Sequence, residues 1–84
     1  MLRLFKLSKT QPDRKLNCLG LYCPEPIIKT RIELDKMKAG EILEVIADDP
    51  AAEEDIKSLI KRLNHQLISF RKKEDKLYFL IKKT

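Results

Sequence analysis

A single cysteine next to a predicted helix start is the part of this sequence best suited to chemistry. Residues 20–26 read GLYCPEP. Proline fits the first turn of a helix, because its missing N–H would have no intrahelical partner there and its fixed φ suits the helix. We therefore predict that the helix begins at Pro24 and that Cys23 is its N-cap. The helix dipole and free backbone N–H groups at that position favour the thiolate, the nucleophilic form of cysteine.

The predicted activation of this thiol is mild. Pro24 and Pro26 remove two donors from the first helical turn, and the carboxylate of Glu25 opposes a second negative charge nearby. The N–H groups of Glu25 and Ile27 are expected to support a sulfur atom bound to Cys23. A buried, apolar role is disfavoured, because a helix N-cap flanked by prolines seldom lies deep in a core. We expect an exposed, moderately nucleophilic thiol.

The second cysteine, Cys18, is separated from Cys23 by four residues. It is in phase with Leu16 in a short alternating segment, which favours a side chain directed into the core. The spacing also allows Cys18 to approach Cys23 and act as the resolving thiol of a dithiol redox protein. The alternation favours the core role, and the redox role stays open as the alternative.

The remaining polar residues do not form a recognisable metal or nucleotide site. Two cysteines with one distant histidine lack the ligand spacing of a zinc site. The chain also has no phosphate-binding loop and no glycine-rich nucleotide fingerprint. We expect His65, the one histidine, to be a helix cap or a satisfied surface group.

Hydrophobic periodicity predicts the order βαβαββ for the elements that position Cys23. Strands are predicted at residues 15–19, 41–47, 66–72 and 76–82, one helix at 24–37, and a second helix capped by Asp49 and ended by Asn64. Gly40 is placed to end the first helix. Each helix has one apolar stripe, that of the first comprising Ile27, Ile28, Arg31, Leu34 and Met37. The predicted fold is therefore α+β, a two-layer sandwich with both helices on one face of a four-stranded mixed sheet.

Length and composition indicate one small folded domain. The chain has 84 residues and a formal net charge of +5, with basic clusters at 61–62, 71–73 and 82–83. These clusters fit an acidic partner, although charge runs more often keep a surface solvated. No aromatic stripe accompanies them, so direct nucleic-acid binding is not expected.

The first residues, MLRLFKL, interrupt their apolar positions with charge. We therefore expect neither a signal peptide nor a membrane span, and a reducing cytoplasm is the expected compartment. Residues 1–14 allow either an extra edge strand or a mobile arm.

The segment LNCLGLYCPEP, residues 16–26, resembles the signature of the TusA/SirA-like sulfur-carrier family, in which Cys-Pro-x-Pro opens the first helix. The resemblance covers roughly residues 15–83, and similar residues recur at 29–31, 40–41, 47–50 and 65–67. Three departures stand out. Asn17 replaces the usual acid, Cys18 replaces a small apolar residue, and residues 1–14 are an extension.

The resemblance implies a carrier domain over residues 15–84, similar in fold to the C-terminal domain of translation initiation factor three. It implies that Cys23 holds sulfur transiently as a persulfide, with no other cofactor, and that Gly20, Pro24, Glu25 and Pro26 belong to the positioning motif. It further implies a cysteine desulfurase or a rhodanese-like enzyme as donor. The acceptor would be a protein of tRNA thiolation, cofactor synthesis or sulfur metabolism.

Such a protein is a sulfurtransferase-type relay, acting as a carrier more than as a turnover enzyme. Two other classes of function stay open. One is a dithiol redox protein that uses Cys18 and Cys23. The other is a non-enzymatic regulatory module that binds through the open sheet face or the basic clusters.

Overall fold

The computed structural model describes residues 11–84, and the expectations for residues 1–10 lie outside the described part. The elements are β1 (Arg14–Cys18), α1 (Glu25–Asp35), β2 (Ile42–Ala47), α2 (Ala52–Arg62), β3 (Gln66–Lys73) and β4 (Lys76–Lys82). Their order is the predicted βαβαββ. The strand bounds differ from the prediction by no more than one residue.

The four strands form one mixed sheet in the order β1-β2-β4-β3. β1 and β2 are parallel, so α1 must carry the chain back to the end of the sheet at which β1 begins. β4 pairs antiparallel with both β2 and β3. The predicted α+β sandwich is therefore confirmed.

The core lies between the helices and one face of the sheet. On that face Val45 pairs with Phe79 and Leu43 with Ile81, and all four side chains are buried. α2 adds Ala52, Ile56, Leu59 and Ile60, which recur at helical spacing as predicted. The ring of Phe70 on β3 packs against Phe79 with centroids 5.0 Å apart.

α1 departs from its predicted phase and length. Its buried residues are Pro26, Thr30 and Leu34, spaced four apart, whereas Ile28 is half exposed. The predicted stripe was right for Leu34 and Met37, which are buried, and wrong for Ile28 and Arg31, which are exposed. α1 has more apolar residues than one face can bury, and the buried face also includes Pro26. Ile32, another surplus residue, is also half exposed.

The end of α1 is likewise earlier than predicted, at Asp35 rather than residue 37. Gly40 therefore does not end the helix. It lies in the turn before β2 at φ +93°, and its N–H donates to the carbonyl of Lys83 over 2.7 Å.

Candidate functional site

The loop that carries Cys23 lies at one end of the sheet. Because β1 and β2 are parallel, they end at the same edge, where Cys18 is paired with Ala47. The chain leaves β1 into the loop of residues 19–24 and leaves β2 into the loop of residues 48–51. The two loops are therefore neighbours, although about thirty positions separate them in sequence.

Two aspartates after β2 hold the cysteine loop. The N–H of Gly20 donates to Oδ1 of Asp48 over 3.0 Å, and the N–H of Cys23 donates to Oδ2 of Asp49 over 3.0 Å. Gly20 has φ +81°, a conformation that glycine adopts without steric cost. Within the loop, the side chain of Asn17 accepts from the N–H of Leu19 over 2.9 Å. The backbone around Cys23 is thus fixed to the β2–α2 loop.

Sequence reasoning identified Asp49 only as the cap of the second helix. α2 in fact begins at Ala52, with Ala51 in the N-cap position and no side-chain cap. Asp49 still supports this start, because its Oδ1 accepts from the N–H of Ala51 over 3.1 Å. Its contact with Cys23 was missed. The sequence signal for this contact was the position of two acids directly after β2. A strand parallel to β1 ends beside it and so places these acids next to the loop that follows β1.

Cys23 is not the N-cap of α1, contrary to the prediction. Pro24 occupies that position with φ −100°, the helix begins at Glu25, and the Cys23–Pro24 peptide bond is cis. The N–H of Glu25 donates to the carbonyl of Tyr22 over 2.9 Å. It is therefore engaged in the turn rather than directed to a sulfur atom on Cys23.

Two aspartates, Asp49 and Asp55, act on the Cys23 thiol. The Asp55 carboxylate raises the pKa of Cys23, chiefly through a hydrogen bond with the thiol and also through its negative charge. The charge of Asp49 acts in the same direction. The predicted preference for thiolate was wrong in sign, because the acids that complement the α2 dipole also face the cysteine loop.

Cys18, in contrast to Cys23, lies away from solvent. Its side chain is completely buried in the core, as the alternation predicted. Burial raises the pKa of its thiol, and the positive charge of Lys29 opposes this only in part. Both cysteines are free, and only Cys23 is exposed. A dithiol mechanism would require Cys18 to leave the core.

Comparison with known proteins assigns the chain to a family. Residues 14–83 match the family described as sulfurtransferase TusA. The chain belongs to the TusA family. A protein of Archaeoglobus fulgidus, provisionally named a sulfur carrier protein, is 47% identical over 70 residues, which are 82% of this chain and 91% of that protein.

A solved structure supports the fold of this TusA-family chain. The crystal structure of a SirA-like protein from Desulfitobacterium hafniense superposes with a TM-score of 0.75 at 20% identity. The match covers 82% of this chain and 95% of that one.

The remaining motif residues of the TusA-family chain have distinct placements. Pro26, in the first turn of α1, is buried, whereas Pro24 and Glu25 are exposed. Tyr22, next to the cysteine, is 72% exposed. The exposed apolar side of α1 consists of Ile28 and Ile32. It begins one helical turn after Pro24, and therefore close to Cys23, because the N–H of Ile28 donates to the carbonyl of Pro24. Sequence analysis did not identify this apolar surface.

One basic cluster lies at the same edge as Cys23. Lys72 pairs with Leu77, which in turn pairs with Ala47 at the end of β2. A groove of about 360 Å³ separates the β3–β4 turn from the β2–α2 loop, and it is lined by Asp48, Pro50, Lys72, Asp75 and Leu77. The basic clusters at 61–62 and 82–83 lie at the opposite end of the sheet.

His65 has a structural environment. Its Nδ1 accepts from the N–H of Thr84 over 3.2 Å, and burial together with the charge of Lys83 lowers its pKa. Among residues 11–84, no cluster of three His, Cys, Asp or Glu side chains is arranged to hold a metal ion. No helix in this part of the chain is long and apolar enough to cross a membrane.

Proposed function

We propose that this chain is a sulfur carrier that accepts sulfane sulfur on Cys23 as a persulfide and hands it to another protein. The observation that carries the proposal is the exposed Cys23 thiol on a loop fixed by hydrogen bonds at the sheet edge. A thiol presented in this way can enter the active site of a partner. Membership of the TusA family and the name of the Archaeoglobus relative support the same role.

The transfer is balanced without an external oxidant. The thiolate of Cys23 attacks the outer sulfur of a persulfide on the donor, a new sulfur–sulfur bond forms, and the donor thiolate leaves. In the second step, a thiolate of the acceptor attacks the outer sulfur on Cys23 in the same way. A cysteine desulfurase or a rhodanese-like enzyme suits the first step. A protein of tRNA thiolation, cofactor synthesis or sulfur metabolism suits the second.

Asp55 and Asp49 raise the pKa of Cys23 and so lower the thiolate fraction of the free carrier, which limits its reaction with oxidants. Sulfur uptake then requires removal of the thiol proton in the complex with the donor. Asp55 is the candidate to accept this proton, because its carboxylate lies close enough to the thiol to raise its pKa.

Intact-protein mass spectrometry tests the proposal. After incubation with glutathione persulfide, the chain should gain the mass of one sulfur atom, which a reductant removes. Peptide mapping should place the added sulfur on Cys23. Failure of the wild-type chain to gain sulfur, or gain by a Cys23→Ser variant, would refute the carrier function.

A further inference from the structure

We propose that Asp49 is the positioning residue of Cys23, because its carboxylate ties the backbone of the cysteine to the start of α2. The consequence for transfer rests on the proposed carrier function, whereas the tether itself does not. In this role Asp49 does not touch the donor sulfur. It fixes the position of the Cys23 thiol when a partner docks.

Both oxygens of the Asp49 carboxylate are in use. Oδ2 accepts from the N–H of Cys23 over 3.0 Å, and Oδ1 accepts from the N–H of Ala51 over 3.1 Å. An asparagine has only one acceptor oxygen, and its amide nitrogen donates rather than accepts. A carboxylate is therefore needed at position 49 to satisfy both N–H groups at once.

Cys23 depends on this bond because it belongs to neither a helix nor a strand. It precedes α1, its side chain is exposed, and packing does little to restrain it. The β2–α2 loop, in contrast, follows the central strand β2, which is paired on both sides. A charge-assisted hydrogen bond from this rigid element is a strong restraint on a backbone N–H.

Sulfur transfer between two proteins is sensitive to such a restraint. The attacking sulfur must approach the outer sulfur of the donor along the bond that breaks. A displacement of about 1 Å in a reacting group can lower a rate by about 100-fold. A loop free to move would present the thiol in several positions, of which few are productive.

The neighbouring aspartate provides a matched control. Asp48 uses one oxygen, Oδ1, to accept from the N–H of Gly20. Asp48→Asn can therefore retain its hydrogen bond, whereas Asp49→Asn must lose one of two. Both substitutions remove one negative charge from the same loop, but only the charge of Asp49 raises the pKa of Cys23. Amide hydrogen exchange at Cys23, rather than the reactivity of its thiol, therefore reports the loss of the hydrogen bond.

Electrostatics separates positioning from a general loss of structure. The charge of Asp49 raises the pKa of Cys23, as does Asp55 from α2. Asp49→Asn should therefore make the thiol react faster with iodoacetamide. The same variant should take up sulfur more slowly from a protein donor. Faster alkylation would show that the thiol itself stays reactive, so that the slower uptake reports how the thiol is presented to the partner.

The experiment measures wild type, Asp49→Asn and Asp48→Asn side by side. For Asp49→Asn, we expect amide hydrogen exchange at Cys23 to accelerate about tenfold, from the loss of one hydrogen bond. Single-turnover sulfur uptake from a cysteine desulfurase charged with L-cysteine should fall about tenfold at saturating donor. Asp48→Asn should stay within about twofold of wild type in both measurements, because its bond is kept. Asp49→Ser, whose hydroxyl can still accept from Ala51, repeats the test with the start of α2 preserved.

Unchanged exchange at Cys23 in both Asp49 variants would overturn the proposal. So would equal losses of sulfur uptake in Asp49→Asn and Asp48→Asn. If the wild-type chain takes up no sulfur, the carrier function fails, and the exchange and alkylation rates alone decide whether Asp49 holds the loop.

Discussion

The Asp55 carboxylate in the first turn of α2 lies close enough to the Cys23 thiol to raise its pKa. The two residues are far apart in sequence and meet because the first turn of α2 begins at the same sheet edge as the cysteine loop. The exposed Cys23 thiol is therefore less acidic than its exposure alone suggests.

Asp55→Asn should make Cys23 more reactive at neutral pH. Removing the carboxylate removes the main cause of the raised pKa, so the thiolate forms at lower pH. The pH profile of the iodoacetamide alkylation rate should keep its shape and move to lower pH. Glu54→Gln, which removes an equal charge from the preceding position, is the control and should move the profile less. Coincident profiles for wild type and Asp55→Asn would contradict this electrostatic role.

The two cysteines should separate function from stability. Cys23→Ser should lose persulfide formation while its free energy of unfolding changes by less than about 0.5 kcal/mol, as for other exposed sites. Cys18→Ala should keep persulfide formation and lose about 1 kcal/mol, because it leaves a small cavity in the core. Urea unfolding and intact mass provide the two measurements. A Cys18→Ala variant that no longer accepts sulfur would favour the dithiol alternative.

The sheet and α2 could be predicted from the sequence because their hydrophobic patterns have one dominant period. The alternation of Leu43, Val45 and Ala47 on β2 corresponds directly to buried positions. α1 was harder because Ile28 and Ile32 add apolar residues on its outer side, where no element of the described chain covers them.

The restraints on Cys23 could not be predicted from local patterns. The hydrogen bonds from Gly20 to Asp48 and from Cys23 to Asp49 join residues 28 and 26 positions apart. Local capping rules considered only the helix beside each residue, so they assigned Asp49 to α2 and Cys23 to α1. The parallel pairing of β1 with β2 is the long-range fact that brings the two loops together.

Two glycines at positive φ should distinguish loop geometry from fold stability. Gly20 and Gly40 have φ of +81° and +93°, and an added Cβ would contact nothing within 4 Å at either position. Alanine at either site should therefore cost about 1 to 2 kcal/mol of backbone strain. Only Gly20→Ala should also slow sulfur uptake, because Gly20 lies in the loop of Cys23. Equal uptake by the two variants at matched folded concentration would argue against this role.

The basic residues of the β3–β4 hairpin should speed association with an acidic partner. Lys72 and Lys73 lie at the sheet edge that carries Cys23, whereas Lys61 and Arg62 lie at the far end of α2. The double charge reversal Lys72→Glu and Lys73→Glu should lower the association rate constant with an acidic donor about tenfold at low salt. The same reversal at positions 61 and 62 changes net charge equally and should have a smaller effect at physiological salt, where screening acts over about 8 Å. Stopped-flow association over a series of salt concentrations makes the comparison. A rate that does not depend on salt, or equal losses in both double variants, would show that this hairpin does not steer docking.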